Sequence, residues 1–156
     1  MIAIGSDHGG VELKDHLVQI IRSKGIEVED LGTRGKESVD YPDFGRLVTL
    51  KVAKGEAERG ILVCTNGIGM SMLANKFPGI RAALVHDLRG AQMSREHNNS
   101  NILVLGGGVT ESPLAEEILE IWLNTPFAGG RHQRRIDKIT QVEKELGIRI
   151  PNESKN

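Results

Sequence analysis

The sequence predicts an α/β fold, one parallel sheet with helices on both faces. Three observations predict it. Five short apolar runs alternate with segments of helical periodicity. The runs are continuously apolar rather than strictly alternating, as suits strands buried on both faces. Many of the 19 glycines fall at the ends of those runs, where backbone must approach something closely.

The first strand is read at residues 1–5 and the second at 27–31. A third follows at 61–64, a fourth at 82–85 and a fifth at 102–105. Leu13, Leu17, Ile20 and Ile21 make the apolar stripe of a first helix, ending near Gly25. Pro42 opens a second, with Phe44, Leu47, Val48 and Val52 on its inner side. A short helix is expected at 69–76 and a longer one at 87–96. Ser112 followed by Pro113 is a start signal for a helix to Trp122. Ile136, Ile139, Val142 and Leu146 lie at helical spacing in a last helix, about 133–146. With no internal repeat or linker, residues 1–150 form a single domain, and 151–156 a polar tail expected to fray.

Composition narrows the function. The chain has 156 residues, enough for one sizeable core, and 38% hydrophobic with 26% charged residues suits a globular protein. No apolar run is long enough for a bilayer, and the N-terminus lacks signal-peptide regions, so the expected location is the cytoplasm. A single cysteine permits neither an internal disulfide nor a cysteine-based zinc site. A formal charge of -1, with three Phe, one Tyr and one Trp, argues against nucleic acid as a partner.

In parallel sheets, ligands sit beyond the carboxyl ends of the strands. Asp7 and His8 follow the first strand, Cys64, Thr65 and Asn66 the third, and His86 and Asp87 the fourth. His97 and Asn98 end the next helix. Cys64 precedes Gly67-Ile68-Gly69-Met70-Ser71, a turn that opens a helix. Amides at a helix start attract negative charge and favour a thiolate. They also suit the oxyanion of an enediolate. Taken alone, a cysteine ending a buried strand is usually a small hydrophobe. The glycine-rich turn alone is equally weak, lacking the ending of a nucleotide-binding loop.

Gly129-Gly130-Arg131-His132-Gln133-Arg134-Arg135 places three arginines where they oppose a helix macrodipole. A bound anion would offset that, and guanidinium forks suit phosphate. Pairing with acids such as Asp137, or a solvated turn, is the competing reading. Asp7-His8 and His97-Asn98 are consistent with acid–base work near neutral pH, or with hydrogen-bonded loop histidines. His16 reads as a surface residue. No histidine pair has the close spacing of a zinc helix.

These residues fall into ordered motifs: Gly5-Ser6-Asp7-His8-Gly9-Gly10, Ser38-Val39-Asp40-Tyr41-Pro42, Gly67-Ile68-Gly69-Met70-Ser71 and Ala74-Asn75-Lys76. Gly79-Ile80-Arg81-Ala82-Ala83, Met93-Ser94-Arg95-Glu96-His97-Asn98 and Gly129-Gly130-Arg131-His132 follow. From Ile2 to about Leu146 the chain resembles the type B ribose-5-phosphate isomerases, a group that includes galactose- and allose-6-phosphate isomerases. The resemblance implies a three-layer α/β/α sandwich with a five-stranded parallel sheet, Rossmann-like. It implies a homodimer or dimer of dimers, the last helix packing at the dimer interface, and no metal. No cofactor is expected, and the partner is a small-molecule sugar phosphate.

By the same resemblance, Cys64 takes a proton from carbon 2 of the open-chain sugar and returns it to carbon 1. His97 assists ring opening, with Asp7 as helper, and Asn66 belongs to the catalytic group. Backbone from Asn66 through Gly67, Ile68, Gly69, Met70 and Ser71 stabilises the enediolate. His8, Arg131 and Arg135 bind phosphate, and Tyr41 and Asn98 line the pocket. His97, Asn98 and the arginines are expected from the neighbouring subunit. The chain departs from the family at Thr65-Asn66, where Gly-Thr is usual. A carboxamide at 66 is a poor proton shuttle, so the departure bears on which sugar is turned over.

The expected activity is metal-independent interconversion of ribose 5-phosphate and ribulose 5-phosphate. The alternatives are an isomerase of allose 6-phosphate, galactose 6-phosphate or a tetrose phosphate, and a non-catalytic phosphosugar-binding module. A nucleotide-binding protein is a more distant option.

Overall fold

A computed structural model describes residues 1–150, and the expected tail 151–156 lies outside them. β1 (Ile2–Ser6), β2 (Val28–Asp30), β3 (Arg59–Cys64), β4 (Ala82–Leu84) and β5 (Ile102–Gly106) form one sheet in the order β2-β1-β3-β5-β4. Every neighbouring pair is parallel. The helices are α1 (Val11–Ser23), α2 (Tyr41–Ala53), α3 (Ile68–Ala74), α4 (Leu88–Glu96), α5 (Ser112–Asn124) and α6 (Arg131–Glu145). A 3₁₀ turn, His8–Gly10, follows β1.

Side chains alternate across the sheet, as the strand period of two requires. Ile61 and Val63 of β3 join Ile2, Ile4, Leu103 and Leu105 against α1, α4 and α5. Leu62 and Cys64 join Ala3, Ile102 and Val104 against Val48 and Val52 of α2 and Met70 and Ala74 of α3. The molecule is therefore the three-layer sandwich expected from its sequence. β3 and β5, covered on both faces, are the most continuously apolar strands, whereas β2 and β4 at the edges are only half-buried.

The topology locates the site. α1 carries the chain from β1 to β2 on one face, and α2 returns it to β3 on the other. The chain thus leaves adjacent strands β1 and β3 toward opposite sides. A crevice opens between their carboxyl ends, the place where ligands bind in open α/β sheets.

The segment after β2 is pinned to this edge. The amide of Leu31 donates to the Ile4 carbonyl (2.8 Å) and that of Thr33 to the Ser6 carbonyl (3.0 Å). Lys14 of α1 is fully buried, its Nζ 2.6 Å from both Asp15 Oδ1 and Asp30 Oδ2. Asp30 Oδ1 accepts in turn from the Gly32 amide at 3.0 Å. A lysine so placed has to be paired, because burial of a lone ammonium is prohibitive.

Candidate active site

β3 ends at Cys64, which is buried with 5% of its surface exposed. The chain then turns through Thr65 and Asn66 to Gly67, which has φ +79° and caps α3. The left-handed backbone at Gly67 suits glycine, and the residue's amide lies 3.1 Å from Cys64 Sγ. A backbone donor at that position stabilises negative charge on sulfur. The next amide, of Ile68, donates to Asn66 Oδ1 at 3.0 Å, and that of Ser71 to the Gly67 carbonyl at 3.0 Å. Gly69 and Met70 are the second and third residues of α3, whose amides have no partner within the helix.

Asp7 and His8 stand across the crevice. The Asp7 amide reaches the Val63 carbonyl at 3.3 Å, and its Oδ1 accepts from the Gly9 amide at 2.9 Å. Its carboxylate therefore caps the 3₁₀ turn. His8 Nδ1 accepts from the Val39 amide at 3.1 Å. That bond fixes the neutral tautomer with its proton on Nε2, so the ring offers an N–H to an anion. Tyr41, the first residue of α2, lies over α3: a Cβ on Gly69 would come within 2.6 Å of its ring.

Glycines let three backbones converge here. The Gly107 and Gly108 amides donate to the carbonyls of Cys64 (2.7 Å) and Thr65 (2.8 Å). A Cβ on Gly9 would stand 2.1 Å from Thr65 Oγ1, and one on Gly108 3.2 Å from the Thr65 methyl. Thr65 is thus wedged between the loops after β1 and β5. Gly106-Gly107-Gly108 serves as a buttress for the cysteine turn.

The remaining residues assemble elsewhere. His97 ends α4 and precedes β5, whose first residue, Ile102, pairs with Gly60. Cys64 pairs with Gly106 at the far end of the same ladder. His97 therefore sits at the amino edge of the sheet and Cys64 at the carboxyl edge. His97 stacks on His132 with ring centroids 4.1 Å apart and planes 10° from parallel. This places Arg131 and Arg135, in the first turns of α6, at the amino edge too. Burial lowers the pKa of His132, and His97, Arg131 and Arg135 push it the same way. Asp137, the suggested partner for these arginines, instead accepts from Gln133 at 2.7 Å. Asn98 lines a cavity of about 230 Å³ with Asn75, Arg81, Ile136 and Ile139. One chain thus presents two groups of candidate residues on opposite edges of the sheet.

Some of this was absent from the sequence reading. Lys14 is buried on the inner stripe of α1 with Leu17, Val18 and Ile21, where helical periodicity alone gives an apolar residue. The His97–His132 stack joins residues distant in the chain and leaves no periodic trace. His16, read as a surface residue, has a side chain 33% exposed, with Nε2 2.6 Å from Glu116 Oε1. Among the described residues, no three His, Cys, Asp or Glu side chains cluster as a metal site.

The family model for ribose/galactose isomerase matches residues 2–139. The chain belongs to the ribose/galactose isomerase family. Ribose-5-phosphate isomerase B of Escherichia coli is 45% identical over 142 residues, spanning 91% of this chain and 95% of that protein. The structure of the Clostridium thermocellum ribose-5-phosphate isomerase B superposes with a TM-score of 0.92 at 51% identity, covering 93% and 98% of the two chains. That of the Mycoplasma genitalium enzyme, which holds ribulose 5-phosphate, gives 0.89 at 42% identity, covering 92% and 96%. Membership in the ribose/galactose isomerase family makes this chain a sugar-phosphate isomerase.

Proposed function

We propose that the chain interconverts ribose 5-phosphate and ribulose 5-phosphate without a metal, with Cys64 as the base. The observation that carries the reading is the sulfur at the switch-point crevice, with the Gly67 amide on it and Asp7 and His8 opposite. The relatives named above lend the substrate, one of them with ribulose 5-phosphate bound.

The chemistry follows from carbon acidity. With the sugar open, the Cys64 thiolate takes the carbon 2 proton, and the bonding electrons move onto the carbonyl oxygen at carbon 1. The resulting enediolate needs donors in place before charge develops. The amides of Gly69 and Met70, with Ser71 in the same turn, are suitably placed for that. The thiol then returns the proton to carbon 1 while the carbon 2 hydroxyl becomes the carbonyl. Its proton passes to the oxygen on carbon 1, directly or through water, so the step is redox-neutral overall.

Phosphate binding away from the reacting carbons supplies positioning energy. His8 Nε2–H is the donor to phosphate from the Cys64 half-site, and Tyr41 walls the pocket. His97 opens the ring with Asp7 assisting, Asn98 lines the pocket, and Arg131 and Arg135 complete the anion site. Because these last lie at the amino edge, they serve the Cys64 half-site of a second copy. A homodimer with shared sites, with α6 at its interface, is the assembly this requires. Ile139 and Val142 on α6, and Leu146 just past its end, are exposed and apolar, as such an interface needs.

The test is an isomerase assay on ribose 5-phosphate beside allose and galactose 6-phosphates, in deuterated water. Wild-type protein is expected to turn over ribose 5-phosphate fastest and to incorporate solvent deuterium. Cys64→Ala is expected to lose essentially all turnover, and an active Cys64→Ala enzyme would sink the mechanism. Mixing Cys64→Ala with His97→Asn chains should restore part of the activity if the sites are shared.

A further inference from the structure

We propose that Asn66 holds the oxygen that becomes anionic in the reaction, donating to it from Nδ2. The inference rests on the isomerase reading and assigns a task to the position where this chain departs from the usual Gly-Thr.

The orientation of the carboxamide is forced. The Ile68 amide is a donor, and it lies 3.0 Å from the Asn66 side chain. Only the oxygen of a carboxamide accepts, so Oδ1 faces Ile68 and Nδ2 faces away. No described residue receives a hydrogen bond from Nδ2, while Asn66 is exposed on the turn that carries Cys64. Two N–H donors are therefore presented two residues from the base.

The backbone beneath them is held. A Cβ on Gly106 would lie 2.9 Å from both Cα and C of Asn66, so the turn rests directly on the end of β5. A donor on a fixed support stabilises developing charge without reorganising at the moment of reaction. The accounting of donors points the same way. Gly67 gives its amide to Cys64 Sγ, and Ile68 gives its amide to Asn66, so two donors at the turn are already committed. Nδ2 supplies replacements for the one that Asn66 itself occupies.

Thr65 is not the substitute for the family's hydroxyl. Its side chain is directed at Gly9 and Gly108, with Oγ1 against the 3₁₀ turn. A hydroxyl at 66 would both give and take protons, whereas a neutral carboxamide only gives hydrogen bonds from nitrogen. Asn66 therefore stabilises the enediolate and leaves the transfer between the two sugar oxygens to solvent.

The test compares wild type with Asn66→Ala and Asn66→Asp. Steady-state kinetics on ribose 5-phosphate are read beside thermal unfolding and the rate of Cys64 alkylation by iodoacetamide. The wild-type assay judges the isomerase reading: no turnover of any sugar phosphate defeats that reading and this inference with it. Given an active wild type, Asn66→Ala is expected to lose about 100-fold in kcat, with KM changed less than about 3-fold. Its unfolding temperature and alkylation rate should stay near wild type. Asn66→Asp keeps the acceptor for Ile68 and loses the donor, so it should lose at least as much. Unchanged kcat in Asn66→Ala overturns the proposal. So does wild-type turnover in Asn66→Asp, which would leave only the turn-forming oxygen as important. A loss of kcat that tracks altered Cys64 alkylation or unfolding also overturns it, because the role is then structural.

Discussion

The Gly67 amide points at Cys64 Sγ across 3.1 Å, and the chain leaves that amide through a left-handed turn, φ +79°, into α3. Gly67→Ala would strain that conformation and drive a Cβ to 2.4 Å from Leu84 Cδ1 and 3.2 Å from the Leu105 carbonyl. Strain of this kind costs about 1–3 kcal/mol. Stability should fall by that amount in urea unfolding, and kcat should fall by more than tenfold, roughly the loss of one charge-assisted donor.

Gly9 and Thr65 occupy one space. Gly9→Ala places a methyl 2.1 Å from Thr65 Oγ1, and overpacking of this order costs about 1–3 kcal/mol. Thr65→Gly removes the obstructing atoms. The double variant should therefore be more stable than the sum of the single effects, as a double-mutant cycle would show.

Among the described residues Lys14 is the one lysine whose charge the fold encloses, with Asp30 opposite at 19% side-chain exposure. Lys14→Met leaves that carboxylate without its partner, and removing one member of a buried pair costs about 3 kcal/mol. Chemical unfolding should show the loss, and Lys14→Met combined with Asp30→Asn should recover part of it. Lys36→Met, at an exposed pair with Glu12, should leave the unfolding midpoint essentially where it is.

His132 gives the fold a sensitivity to acid. Its pKa is lowered in the folded state by burial, then by His97, Arg131 and Arg135, with Glu96 opposing. The unfolded chain thus binds its proton more readily than the folded one. Stability is fully present above the ordinary histidine value of about 6.5 and is lost as pH falls below it. Thermal unfolding between neutral and mildly acidic pH should show the decline, and His132→Gln should flatten it.

The strands legible in the sequence were those buried on both faces. Ile61 through Cys64 and Ile102 through Leu105 are apolar without interruption, so their assignment needed no partner information. β3 begins earlier, at Arg59, because Arg59 spans the edge of α5, donating from Nη1 to the Trp122 and Leu123 carbonyls. A charged residue in that role looks like a loop until the helix is in place. α6 likewise begins at Arg131, two residues before the periodicity starts, since only its later turns carry the apolar stripe.

Cys64, Asp7 and His8 were legible as candidates because Cys64 ends an apolar strand and Asp7 and His8 come just after one. It did not reveal that His8 takes its tautomer from Val39, since that bond is made by backbone. Nor did it show that His97 faces a second histidine. Contacts between remote elements are set by packing, and no local pattern encodes them.

The wedge of Thr65 between Gly9 and Gly108 reaches beyond this one chain. A side chain at 108 would meet the Thr65 methyl at 3.2 Å, and one at 9 its hydroxyl at 2.1 Å. The side chains allowed at the three positions are therefore coupled through one shared space. With threonine at 65, a side chain at 9 or 108 has to displace its neighbours. Glycine at 65 would free the space beside position 9, whereas at 108 the carbonyl oxygen of residue 65 would still stand 3.0 Å from a Cβ.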